Sequence, residues 1–192
     1  MSLETIKATF QASIDTKQAL INDTKSLEVL LKVARLASSA IKAGKKIMLC
    51  GNGGSAADSQ HIAAEFIGRF EKERKSMAAI ALTTDTSALT AIGNDYGYEE
   101  VFSRQIEGLG QSGDLLIGIS TSGNSKNVVR ALRVAKKKGI STVALVGDRP
   151  NGIMQTIADY VLIAPSANTA RIQECHILMM HTICQLVESA SV

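Results

Sequence analysis

His61 and Glu65 stand four apart in a stretch whose other members, Ile62, Ala63, Ala64, Phe66 and Ile67, are apolar. On a helix that spacing puts both side chains on one face. A charge-capable pair among oily neighbours needs a partner or a task, although Arg69, four further along, offers Glu65 an ordinary ion pair. Near the C-terminus, Gln173, Glu174, His176 and His181 form a second polar set inside another apolar stretch. For either histidine alone, a satisfied core position is the commoner outcome. Gln173 and His181 are eight apart, which on a helix means about 12 Å along the axis and roughly 80° of rotation. Bringing both to one small ion takes extended side chains or contributions from different subunits, and spacing leaves that open.

Two loops complete the chemical inventory. Gly51-Asn52-Gly53-Gly54-Ser55 follows a buried apolar run and opens a helix, a setting in which backbone N–H groups and the helix dipole attract an anion. The same residues read as G-x-G-x-x-A through Gly51, Gly53 and Ala56, with Asp85 as a ribose-binding acid, so a dinucleotide site is the rival. The plain alternative is a tight turn whose glycines permit close packing. Ser120-Thr121-Ser122-Gly123-Asn124-Ser125 follows the run Leu115–Ile119 and gathers hydroxyls at one strand end. Hydroxyls plus free N–H groups at a helix start cradle a phosphate without lysine or magnesium. A Walker loop is excluded because G-K-[ST] is absent. Two such loops at neighbouring strand ends suit a phosphorylated sugar better than a dinucleotide.

The elements that must position these groups follow from periodicity. Leu3, Ile6, Phe10 and Ile14 recur at helical spacing, and Leu27, Leu30, Leu31, Ala34 and Ile41 do so again before Gly44, so two helices precede any strand. Short apolar runs at Ile47–Cys50, Ala78–Leu82, Leu115–Ile119, Thr142–Val146 and Tyr160–Ile163 predict five strands, with helical segments between them. One helix is expected from the glycine loop through about Phe70, and another over Asn127–Lys138. This alternation predicts an α/β fold, a single doubly wound parallel sheet flanked by helices, in one domain over residues 1–192. The last segment, Thr169–Ser189, carries Ile172, Ile177, Leu178, Met179, Met180, Ile183, Leu186 and Val187 around most of its circumference. Such a helix must be buried. Burial between subunits is the economical solution, which predicts a homo-oligomer.

Composition narrows the class. The 192 residues are 45% hydrophobic and 20% charged with a formal net charge of +3, ordinary for a globular protein and too weakly basic for a nucleic-acid footprint. The one basic run, Lys136-Lys137-Lys138 before Gly139, fits a helix end opposing its dipole. Cys50, Cys175 and Cys184 lack metal-finger spacing and lie in apolar stretches, so they are expected to be reduced and structural. Neither a signal core at the N-terminus nor an apolar run long enough to span a membrane is present, which points to the cytoplasm and to no membrane partner.

Taken together, Cys50–Ser55, the pair His61 and Glu65, Ile92-Gly93-Asn94-Asp95, Ser120–Ser125 and Thr169-Ala170-Arg171-Ile172-Gln173-Glu174 resemble the phosphoheptose isomerases. The resemblance runs over essentially the whole chain. The serine loop marks the wider sugar isomerase fold, shared with etherases, synthase domains and sugar-responsive regulators; the combination with His61, Glu65, Gln173 and His181 is narrower. It implies a homotetramer converting sedoheptulose 7-phosphate to glycero-manno-heptose 7-phosphate, the first step towards the heptose of bacterial lipopolysaccharide or capsule. It further implies one zinc ion per subunit on His61, Glu65, Gln173 and His181. The substrate would be surrounded by Asn52, Gly53, Gly54, Ser55, Glu65, Asn94, Asp95, Ser120, Thr121, Ser122, Ser125 and Gln173. Glu65 and His181 would carry protons. The competitor from another class is a non-catalytic protein of the same fold that binds the bacterial replication initiator; it has no need of Glu65 or His181.

Overall fold

In the computed structural model, which describes residues 1–190, five parallel strands form one sheet in the order β2-β1-β3-β4-β5. They are β1 (Ile47–Gly51), β2 (Ala79–Ala81), β3 (Leu115–Ser120), β4 (Ser141–Gly147) and β5 (Tyr160–Ala164). All five predicted apolar runs are strands. Those of β1 and β3 read as continuous apolar sequence because both faces of the sheet are covered. On one face Leu49, Ile117, Ile119, Val143, Leu145 and Leu162 pack beneath α2 (Thr24–Lys42), α3 (Gly54–Ile67) and α8 (Thr169–Ser189). On the other, Met48, Cys50, Leu116, Ala144 and Val146 meet α5 (Ser103–Leu109), α6 (Lys126–Lys137) and α7 (Ile153–Ile157). Two helices do precede the sheet, α1 (Leu3–Asn22) and α2, hinged at Asp23, whose carboxylate accepts from the Ser26 amide to start the second. The three cysteines are free and buried. Among the described residues no helix is long and apolar enough to cross a membrane.

Two expectations change, and the rival reading loses its acid. The helix after the first loop stops at Ile67, short of Phe70, because the amides of Phe70, Glu71 and Lys72 turn to the carboxylate of Glu188 instead of continuing the ladder. Asp85 is no ribose ligand waiting at a strand end: its side chain caps α4 (Thr86–Tyr96) by accepting from the Ala88 amide. Helix α8 has the predicted bounds, yet its burial is mostly within its own chain. Ile172, Met179, Met180, Ile183 and Val187 sit in the core between the sheet and α2, while of the large apolar residues of the helix Leu178 and Leu186 are exposed, at 41% and 37%. The apolar stripe that stays uncovered lies on α1, where Leu3, Ile6, Phe10 and Ile14 are all more than half exposed.

Two core positions carry energetic consequences. Gly118 faces α6 in mid-strand, and a Cβ there would come within 2.7 Å of Val128 Cγ1. The missing side chain is what lets α6 lie close behind the serine loop. His176, on α8, is fully buried and neither ring nitrogen reaches hydrogen-bond geometry. Burial drives its pKa down to about 4 against a weak opposing pull from the Val146 backbone. The folded chain therefore holds His176 neutral, whereas the unfolded chain protonates it near pH 6.5.

Gly118→Ala should lower unfolding free energy by about 1–3 kcal/mol, the usual overpacking cost, read from urea midpoints. Stability should be fully present above pH 6.5 and decline as pH falls towards 4, by roughly 3 kcal/mol from His176 alone. His176→Leu should flatten that decline in urea titrations across the window; an unchanged slope would assign it to the carboxylates.

Candidate active site

The strand order reverses direction between β1 and β3: β1 is followed by β2 on one side, while the chain returns as β3 on the other. The carboxyl ends of these two strands, paired at Gly51 and Ile119, thus open onto one crevice. Both sequence-predicted loops leave the sheet there. Gly53 takes φ +55° to turn the chain into α3, a conformation side chains rarely adopt, and Gly51 lies so close to Ser55 that a Cβ would be 2.7 Å from its Cβ. Ser55 itself is buried. A Cβ at Gly54 would fall on the Gln173 side-chain amide, which would have to swing aside to admit it. The last helix therefore packs its amide directly on the first loop.

In the second loop the Ser120 hydroxyl lies 2.8 Å from that of Ser125 and 3.3 Å from that of Ser122. The Thr121 carbonyl accepts from the Gly147 amide and fastens the loop to the end of β4. The two loops are tied together by a contact that sequence reasoning missed. Asn52 Nδ2 donates to Asn127 Oδ1 at 2.9 Å, and Asn127 Nδ2 donates back to Asn52 Oδ1 at 2.8 Å. Asn127 is buried in the first turn of α6, and the Tyr98 hydroxyl, from a 3₁₀ turn over Tyr98–Glu100, also donates to Asn52 Oδ1 at 3.0 Å. The Asn52 side chain is thus a bridge between loops. Asn94 and Asp95 are exposed in the last turn of α4, hydrogen-bonded to each other at 2.8 Å.

One turn and more into α3, His61 and Glu65 do share a face: His61 Nε2 lies 3.0 Å from Glu65 Oε1, and Glu65 turns to His61 rather than to Arg69. His181 comes from α8 to place its Nε2 3.2 Å from His61 Nε2. The three ligand-type atoms lie within 4.8 Å of one another. Two imidazoles and a carboxylate so arranged are a donor set that can hold a metal ion. Burial, helped by the charge of His61 and opposed by Glu65, holds the His181 pKa below the usual histidine range. That keeps the ring neutral, the form that ligates a metal. The ring of Phe70 stacks on His181 at 5.3 Å between centroids and 26° between planes. Asp58, one turn before His61, has a buried carboxylate oxygen without a hydrogen-bond partner, and burial outweighs His61 to hold its pKa up. The structure thus brings together three of the four sequence-predicted ligands and sets the fourth, Gln173, against the loop. Nothing in the sequence marked Phe70 or Asn127, whose partners lie far along the chain, or Asp58, whose burial no local pattern announces.

A glycine loop and a hydroxyl loop bridged at the switch point of a parallel sheet, with an imidazole–carboxylate trio on the helix that follows, define a SIS-domain protein, and the SIS domain family matches residues 9–147. The phosphoheptose isomerase of Sulfurimonas denitrificans is 55% identical over 95% of this chain and 93% of its own length. Among solved structures, the phosphoheptose isomerase GmhA from Neisseria gonorrhoeae superposes with a TM-score of 0.90 at 46% identity, covering 97% of this chain and 98% of that one. A phosphoheptose isomerase from Francisella tularensis gives 0.93 at 35% identity over 98% and 99%. The chain belongs to the phosphoheptose isomerase family.

A divalent transition metal added to metal-stripped protein should raise its melting temperature, with about 2.7 kcal/mol of stabilisation at one hundred times Kd. His61→Ala or His181→Ala should abolish the shift; a shift of full size in both variants would place the metal elsewhere.

Proposed function

We propose that the protein is an aldose–ketose isomerase that converts sedoheptulose 7-phosphate to D-glycero-D-manno-heptose 7-phosphate through an enediolate, supplying heptose for bacterial lipopolysaccharide or capsule. The observation that carries the reading is the convergence of His61, Glu65 and His181 from two helices. Family membership agrees with it. A protein of this fold that only bound the replication initiator would have no use for such a trio.

The phosphate end of the sugar belongs in the cradle of Asn52, Gly53, Gly54 and Ser55 with Ser120, Thr121, Ser122 and Ser125, where hydroxyls, amides and the N-terminus of α3 favour an anion. Asn94, Asp95 and Gln173 complete the set of substrate contacts. Holding the far end converts binding energy into orientation of the reacting carbons. Glu65 then takes the proton from C1 of the ketose. The O2 oxygen gains a proton and the O1 hydroxyl loses one, for which His181 is the carrier, and the carbon proton returns to C2 to leave an aldehyde at C1. A ring kept neutral by burial can still donate its N–H to an oxygen, and it takes the proton back without leaving a charge behind. Zinc, at one ion per subunit on His61, Glu65 and His181, would polarise the carbonyl when bound, with Gln173 as fourth ligand once its amide turns from the glycine loop. An amide oxygen as fourth ligand makes for a weakly held metal. A carboxylate has two oxygens, so Glu65 can serve metal and proton transfer at once.

The unpartnered stripe of Leu3, Ile6, Phe10 and Ile14 on α1 supports a homo-oligomer, since a row of apolar side chains this exposed calls for a second surface, and the family resemblance makes that a homotetramer. The absence of any membrane-crossing helix among the described residues agrees with work in the cytoplasm on a soluble sugar phosphate.

Incubation with sedoheptulose 7-phosphate should yield an aldose product, and a chelator should suppress the rate. Glu65→Gln should abolish turnover while sugar-phosphate binding by calorimetry stays largely intact; near-normal turnover in that variant would refute the assignment of the base.

A further inference from the structure

Helix α8 grips the end of α3 at two points. His181 and Glu188 are seven apart, two helical turns, so they leave α8 on nearly the same face about 10 Å from each other. The first meets His61 of the trio. The second, only 1% exposed, accepts from the amides of Phe70 at 3.1 Å, Glu71 at 2.9 Å and Lys72 at 2.8 Å, and from Arg74 Nε at 3.2 Å. Four donors fill the capacity of one carboxylate. Arg74, whose side chain is only 4% exposed, points Nη2 at the Glu65 carbonyl at 2.6 Å and Nη1 at those of Phe66 at 2.8 Å, Gly68 at 3.1 Å and Lys75 at 3.0 Å. The guanidinium thus caps the C-terminus of the helix that carries His61 and Glu65, where the dipole favours a cation. Burial alone would push the Glu188 carboxyl up; the three amides and the Arg74 charge outweigh it and hold it below the usual carboxylate range.

We propose that Glu188 and Arg74 are positioning residues for the trio: they fold the segment after α3 so that the Phe70 ring packs on His181 and fixes its orientation towards His61 and Glu65. Replacing a buried ion pair by apolar groups often costs nothing in stability. What apolar groups cannot do is direct three consecutive amides to one point, and that direction is what brings Phe70 over the imidazole. The aromatic neighbours of His181 among the described residues are His61 and Phe70, so the clamp supplies one of the two surfaces that define its plane. Partners that hydrogen-bond a metal ligand from outside typically change metal affinity or activity 10–100-fold when removed, and a ring that fixes the plane of the imidazole acts on the same orientation.

This inference rests on the isomerase reading, and its test separates the two. In metal-loaded protein, Phe70→Leu should lower kcat for sedoheptulose 7-phosphate about 10-fold or more with KM nearly unchanged. In metal-stripped protein it should weaken zinc affinity, measured by competition with a chromophoric chelator, by a similar factor. Phe70→Tyr, which keeps the ring, should restore both, and Glu188→Gln should reproduce the Phe70→Leu defect. Should Glu188→Gln fail to fold, Arg74→Lys, which loosens the same clamp, takes its place, and wild-type kcat and zinc affinity in a folded clamp variant would overturn the positioning role. Wild-type kcat and zinc affinity in Phe70→Leu, or a defect confined to KM, would overturn the proposal. If the wild-type protein yields no aldose, the isomerase reading falls, and the zinc competition still tests the clamp.

Discussion

The site depends on one constraint of chain connectivity. With β1 laid down between β2 and β3, the strand to its left is reached by one crossover and the strand to its right by the next, so the loops at their carboxyl ends must part and leave a crevice. A parallel sheet has few such places, and this one receives both the glycine loop and the hydroxyl loop. The reciprocal Asn52–Asn127 pair then fixes how far apart they stand. Each amide both donates and accepts, so neither loop can shift without stranding a polar group of the other, one of them buried. Loop chemistry is held by strand order first and by one side-chain pair second.

Behind the loops, geometry passes through helices. His61 and Glu65 ride on α3, whose start is set by Gly53 and whose end is capped by Arg74. His181 rides on α8, which is anchored in the core by Ile172, Met179, Met180, Ile183 and Val187. Fully burying an aliphatic side chain of this size contributes about 1.5–3 kcal/mol, so several of them hold the histidine more firmly than its own polar contacts could. Apolar packing sets the distance between the two helices; the polar groups between them then find one another within hydrogen-bond reach.

Much of this was legible in the sequence, for reasons that can be named. The strands announced themselves because a sheet covered on both faces needs unbroken apolar runs, as in Ile47–Cys50 and Leu115–Ile119. The loops were visible because glycine and hydroxyl clusters at strand ends have few other uses. His61 and Glu65 share a face by simple helical spacing. Spacing could not join His181 to them, since 120 residues separate it from His61 and no local pattern encodes their meeting; only the family resemblance put them at one site. Glu188, Arg74, Phe70 and Asn127 were silent for the same reason: their residue types are ordinary, and their significance lies in partners more than seventy residues away, or in a loop whose path a distant carboxylate dictates. The misplaced burial of α8 has a different cause. Periodicity reported correctly that nearly every side of the helix is apolar, but it cannot distinguish a neighbour in the same chain from one in another.

The absent side chain at position 54 reaches beyond the loop it belongs to. The Gln173 amide occupies the space a Cβ would take, so two positions 119 residues apart meet in one contact. In evolutionary terms the two are linked through the place of the amide: a side chain at residue 54 turns the Gln173 amide out of the loop, and only glycine leaves it where it lies.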